Sequence, residues 1–213
     1  ALLSDYKNQE ERLLDLISDF KESPYYQRSL FDIANLFKNQ DENEKALNYY
    51  SKILSISKDS EVIAASLLNK GLIYFNQGEI DQSIVSLKKI IENYSKSESF
   101  KEAKIGLQNS YLKKGSIAEF LSYIDQIPQL DITVAAKDSL SYQIAYNHFK
   151  NEEYIQSKTD FLAYMSTFGE DAIFHIKSKY YYSESCWKTS DSILAITSYK
   201  EVLSLGNSVF FEP

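Results

Sequence analysis

Between Ala64 and Ser97 the apolar positions fall into two helical series separated by a break. The first runs through Leu67, Leu68, Ile73 and Tyr74, and the second through Ile80, Ile84, Leu87, Ile90 and Ile91. Gly78 lies between them, so the stretch predicts a helix, a tight turn and a second helix. A shift of 37 residues reproduces the pattern along the chain. Gly71 falls on Ala34, Gln108 and Ala145, and one further step of 38 reaches Ser183. Tyr74 falls on Phe37, Tyr111, His148 and Cys186. The turn residue Gly78 falls on Asp41, Gly115, Glu152 and Ser190, types that suit a break between helices. On the second helix, Ser83 falls on Ala46, Phe120, Ser157 and Ala195, and Leu87 on Tyr50, Ile124, Phe161 and Tyr199. Small residues recur where two helices of a pair must cross closely, and large ones recur where one pair meets the next.

Five units therefore start near Gln27, Ala64, Lys101, Asp138 and Ile176. We read the chain 1–213 as one solenoid, with repeats near 27–60, 64–97, 101–137, 138–171 and 176–209. Leu13, Leu16, Ile17 and Phe20 fit the second helix of an earlier unit, so residues 1–22 read as a partial repeat. Pro213 stands where a sixth would begin, and the expectation is a piece of a longer array whose ends could self-associate. The unit 101–137 departs most from the pattern. Phe120 replaces a small residue there, and Pro128 should shorten the second helix.

The succession of small residue, aromatic, turn, small residue and aromatic resembles the tetratricopeptide repeat, clearest at 64–97 and good at 27–60 through "NEKALNYYSKIL". That family's unit is about 34 residues, so three additional residues are expected in the links. The resemblance implies an all-α, right-handed superhelix of antiparallel helix pairs that binds a protein segment in a concave face. Phe20, Tyr94 and Phe168 each open a polar link closed by another aromatic, as in "YSKSESF". Such links, with "GLIYFNQGEIDQSI" and "AAKDSLSYQIAYNHF", resemble the exported repeat proteins of Bacteroidetes-type bacteria. They also resemble those of outer-membrane assembly and the Tol–Pal system. The resemblance implies a periplasmic or outer-membrane-associated place in the bacterial cell envelope.

Composition supports a folded helical chain. Apolar residues make up 44%, with 6 Gly and 3 Pro in 213 residues, too few breakers for a turn-rich sheet protein. The net charge of -7 with no basic run argues against nucleic acid, and no apolar run approaches the roughly 20 residues of a membrane span. Cys186 is the only cysteine, which excludes an internal disulfide.

No catalytic motif is present, and the chain is not expected to be an enzyme or to hold a cofactor. His148 and Cys186 fall in the slot of Phe37, Tyr74 and Tyr111 and are expected to fill the core. Glu152 and Glu153 lie near His148, but the further ligands of a metal site are missing. His175, preceding a helix start, is expected at the surface.

The outward positions of each first helix are more informative. In the resemblance they line the concave face, and here they carry Phe75, Tyr142, Tyr146, Phe149, Tyr180 and Trp187 as candidate partner-binding residues. Lys113, Lys150 and Lys188 follow in register as a ladder of cations. The competing reading packs these rings against the next repeat. A carboxylate clamp of the chaperone-tail type is excluded, because Asn35 and Asn69 are joined by Phe31, Glu102 and Gly106 where cations are needed. The aromatic platform leaves carbohydrate binding, as in repeat-containing uptake lipoproteins, and a structural spacer as alternatives.

Overall fold

The computed structural model describes residues 2–19, 21–23 and 25–205. Phe20 and Pro213, and with them part of the first aromatic link and the end of the last unit, lie outside these residues. The described residues form eleven α-helices and no strand: α1 (Leu2–Asp19), α2 (Tyr26–Asn39), α3 (Asn43–Ile56), α4 (Ser60–Gln77), α5 (Ile80–Asn93), α6 (Phe100–Lys114), α7 (Ile117–Gln126), α8 (Val134–Lys150), α9 (Tyr154–Phe168), α10 (His175–Lys188) and α11 (Ser192–Leu205). The chain divides into two compact units, Ala1–Ser110 and Tyr111–Pro213. In the first, consecutive helices from α1 to α5 pack on one another, and in the second those from α7 to α11 do so; the first helices of neighbouring pairs also touch, α2 with α4 and α8 with α10. This is the helical-solenoid class.

The five aligned turn residues share one backbone state. Asp41, Gly78, Gly115, Glu152 and Ser190 have φ of 59°, 81°, 71°, 64° and 65°. Each follows a first helix, in the left-handed conformation that ends helices and reverses the chain. The slot residue supplies the closing bond: the carbonyls of Phe37, Tyr74, His148 and Cys186 accept the N–H five residues on, at 2.8–2.9 Å. Glutamate pays a steric penalty in this conformation that glycine escapes. Glu152→Gly is accordingly expected to stabilise the fold by about 0.5–1 kcal/mol, read as a higher urea midpoint; a lower midpoint would show that the Glu152 side chain itself contributes.

The additional residues of the unit do not all lengthen links, as expected from sequence. Helices α2, α6 and α10 have 14, 15 and 14 residues and follow links that end in a shared turn. In that turn the N–H groups of Tyr26, Phe100 and His175 donate to the carbonyls of Ser23, Ser97 and Ala172 at 3.0–3.1 Å. By contrast, α4 and α8 have 18 and 17 residues and begin at side-chain caps. Asp59 accepts from Glu61 N at 2.9 Å, and Thr133 accepts from Ala136 N at 3.2 Å. There the extra length is helix. The structural period is thus two pairs, 74 residues, with alternating joints.

Helix α7 has 10 residues and stops two short of Pro128, which opens a 3-10 turn through Leu130. Small residues allow the close crossings. A Cβ on Gly71 would lie 2.9 Å from Leu87 Cγ, and Ser157 Oγ donates to the Ala145 carbonyl at 3.2 Å. In the first unit, Leu30, Ile33, Ala34, Phe37, Ala46, Tyr50 and Ile53 form the core. In the second, Tyr142, Ile144, Ala145, Phe161 and Tyr164 do so.

Candidate functional site

In the second unit, α8 places rings at i, i+4 and i+7, so Tyr142, Tyr146 and Phe149 share one helix face. Their planes are nearly parallel. Phe174 stacks on Tyr142 at 4.4 Å, Tyr142 on Tyr146 at 5.9 Å, and Tyr146 on Phe149 at 6.5 Å. Tyr181 of α10 wedges against Tyr146 and Phe149, each at 4.9 Å. Burial pushes the Tyr181 hydroxyl up to about 12, with Tyr146 adding to the shift.

This arrangement corrects the sequence reading of Tyr142. At 9% exposed it is roofed by Phe174 from the following link, and it supports the face instead of presenting to it. Tyr146 and Phe149 are half-buried and keep an accessible portion. Tyr180 is half-buried, at 5.2 Å from the Tyr181 ring and 6.2 Å from Tyr199. Trp187 is 56% exposed. Phe75, on α4 of the first unit, is half-buried.

Lys113, Lys150 and Lys188 are exposed. Lys150 Nζ sits 6.0 Å from the Tyr146 ring centre, and Lys188 Nζ lies 5.9 Å from that of Tyr154. Glu184, between Tyr180 and Trp187 on α10, accepts the Tyr199 hydroxyl at 2.5 Å. The same register joins Tyr50 to Asn35 in the first unit, also at 2.5 Å. There Lys38 Nζ donates to Asn69 Oδ1 at 2.7 Å, so the two amides read from sequence are tied into internal bonds.

His148 and Cys186 occupy the core, at 9% and 0% exposed. His148 has a partner that sequence reasoning missed. Its Nδ1 lies 2.5 Å from Asp160 Oδ2, and Gln156 donates to Asp160 Oδ1 at 2.9 Å. Burial holds the Asp160 carboxyl above its usual range against the opposing pull of these bonds. Glu153 is the more distant carboxylate, 3.5 Å from Nε2. Twelve residues separate His148 from Asp160, as they separate Phe37 from Tyr49, whose rings stack at 5.6 Å, and Tyr111 from Tyr123 at 6.5 Å. A histidine–carboxylate hydrogen bond stands here where those two units have an aromatic pair.

His175 is buried at 8% exposed, not at the surface as expected. It takes the position that Tyr26 and Phe100 hold at the end of the other links, and its Nδ1 bonds the Gly169 carbonyl at 2.8 Å. Among the described residues no three His, Cys, Asp or Glu side chains are placed to hold a metal ion. None of the described helices is long and apolar enough to cross a membrane.

Family models described as tetratricopeptide repeat match residues 27–60 and 65–97. These helix pairs are tetratricopeptide repeats. No curated protein matches the sequence. Among solved structures, the fold is similar to that of a tetratricopeptide repeat protein from Parabacteroides merdae. Identity there is 16% over 94% of this chain and 73% of that one, with a TM-score of 0.50. Two others are YrrB, described as a TPR protein with an unusual peptide-binding site, and BtubC from P. vanneervenii. YrrB is 15% identical over 93% of this chain and 94% of its own, with a TM-score of 0.41. BtubC is 13% identical over 99% and 92%, with a TM-score of 0.43. Tetratricopeptide repeats are protein–protein interaction scaffolds, and their partners are proteins or peptides. Tyr146 and Phe149 lie on α8, and Tyr180 and Trp187 on α10, the first helices of two neighbouring pairs.

Proposed function

We propose that this protein is a non-catalytic scaffold that holds a partner segment along the first-helix face of its second unit. Tyr146 and Phe149 of α8 and Tyr180 and Trp187 of α10 are the contacting side chains. The observation that carries this reading is Trp187, a large aromatic side chain left 56% exposed on α10, the helix whose Tyr181 packs against the stacked rings of α8. Rings fixed before binding lose little freedom on contact, and tryptophan is enriched at the centres of protein interfaces. We place the protein in a bacterial envelope. The support is the polar, aromatic-flanked link read from the sequence.

Carbohydrate stacking would use the same rings. The joints favour a protein partner instead, since the described links of each unit are short turns without the long loops and strands of the uptake lipoproteins.

Crosslinking in the native cell tests the assignment. Wild-type protein should yield a defined adduct, with a second copy of the chain as one admissible partner. Trp187→Ala and Tyr146→Ala should keep helical circular dichroism and lose that adduct about tenfold or more, the equivalent of one hot-spot side chain. An unchanged adduct removes the face assignment.

A further inference from the structure

We infer that the partner segment is acidic: two carboxylates of an extended peptide pair with Lys150 and Lys188, and apolar side chains between them lie on Tyr146, Phe149 and Tyr154. The inference rests on the reading of this face as the partner-binding one. Lys150 Nζ stands 6.0 Å from the Tyr146 ring centre, and Tyr146 lies 6.5 Å from Phe149. Phe149 meets the Tyr154 ring edge-to-face at 5.5 Å, and Lys188 Nζ stands 5.9 Å from Tyr154. The five groups form one connected series of contacts, three rings joined to two cations.

A lysine in the last turn of a helix is favoured by the helix dipole alone. The dipole does not explain why both lysines, from two different helices, are seated on rings of the same series. Seating on a ring orients an otherwise mobile side chain, so less freedom is lost when it meets an anion. Both lysines are exposed, within a chain whose net charge is -7.

The carboxylates of these elements are engaged elsewhere. Glu184 accepts the Tyr199 hydroxyl, and Glu153 faces His148 at 3.5 Å. Glu152 sits in the turn after α8, two residues past Lys150, and sets the side from which an acidic chain is repelled. Opposite charge at both ends with one acidic neighbour to avoid fixes register, which is how charge gives specificity at interfaces. The two ammonium groups are separated by at most four legs of 5.5–6.5 Å, a reach that an extended chain covers in at most about seven residues at 3.3 Å each.

Trp187, the one tryptophan of the chain and the neighbour of Lys188, supplies the signal for the test. Capped peptides with two glutamates separated by two to six Leu, Phe or Ala residues are titrated into the full chain, beside versions with glutamine for glutamate. At one spacing or more, the glutamate peptide should bind at least about tenfold more tightly than its glutamine version. That advantage should vanish in the Lys150→Gln, Lys188→Gln double variant and shrink with added salt. Equal binding of glutamate and glutamine peptides, or no binding by any glutamate peptide, overturns the acidic assignment. The face itself is judged separately. If Trp187→Ala and Tyr146→Ala still abolish the cellular adduct while charge has no effect, the scaffold reading stands and this one falls.

Discussion

His148→Phe is expected to destabilise the chain by about 3–5 kcal/mol at neutral pH, and adding Asp160→Tyr is expected to recover most of that loss. The single change leaves a carboxylate, 7% exposed, with only the Gln156 amide for a partner. The imidazole packs closely on the turn, where a Cβ on Gly115 would overlap His148 Nε2, so the larger phenyl ring adds some overpacking to the cost. The double change copies the Phe37–Tyr49 pair that the chain uses at the same register. The loss should depend on pH in a defined direction. Without the imidazole, the folded carboxyl rises further above its ordinary value of 3.8. The folded variant then binds a proton that the unfolded chain has released, so stability falls as pH rises through that window. The deficit should be largest at neutral pH and shrink towards pH 4. Urea midpoints across that range test it. A loss below about 1 kcal/mol would rank the pair with exposed ion pairs and remove the argument.

Asp138→Ala is expected to cost about 2–4 kcal/mol, because it orphans the buried Tyr164 hydroxyl and removes the acceptor of the half-buried Ile173 N–H. Asp138 is 4% exposed; its carboxylate accepts the Tyr164 hydroxyl and, at 2.9 Å, the Ile173 N–H. The Tyr164 oxygen in turn accepts the Phe174 N–H at 3.1 Å. This network pins the link whose Phe174 ring covers Tyr142, so its loss should reach the binding face as well. The variant should therefore weaken partner capture although every residue of the face is intact. Asp138→Asn keeps an acceptor for one of the donors and should cost less than half as much. Equal losses in the two variants would mean that the charge, not the bonding, matters.

Much of the fold was legible because the chain repeats itself. Alignment at a 37-residue shift placed Asp41, Glu152 and Ser190 beside two glycines, and all five adopt positive φ. No single one of those three residues would have signalled it. The slot residues were equally readable, since a histidine or cysteine aligned with Phe37 and Tyr74 has nowhere to go but the interior. What failed were contacts between one unit and the next link. Helical spacing places Tyr142 on the outward face, but it cannot show that Phe174 folds back over it. His175 was misjudged for the same reason, because its burial depends on the turn that precedes α10. Asp160 was passed over because an isolated carboxylate on a second helix usually points to water. Only the twelve-residue spacing of Phe37–Tyr49, compared between units, could have marked it.

The alternation of joints has a consequence for how this chain can be cut and rebuilt. A side-chain-capped entry precedes each long first helix, α4 and α8, and an aromatic-flanked entry precedes each short one, α2, α6 and α10. Deleting one 37-residue pair would bring two joints of the same kind together, with a helix either too long or too short for the turn that receives it. Removing or inserting 74 residues preserves the order. For grafting, shuffling or lengthening, the interchangeable part of this protein is a four-helix cassette.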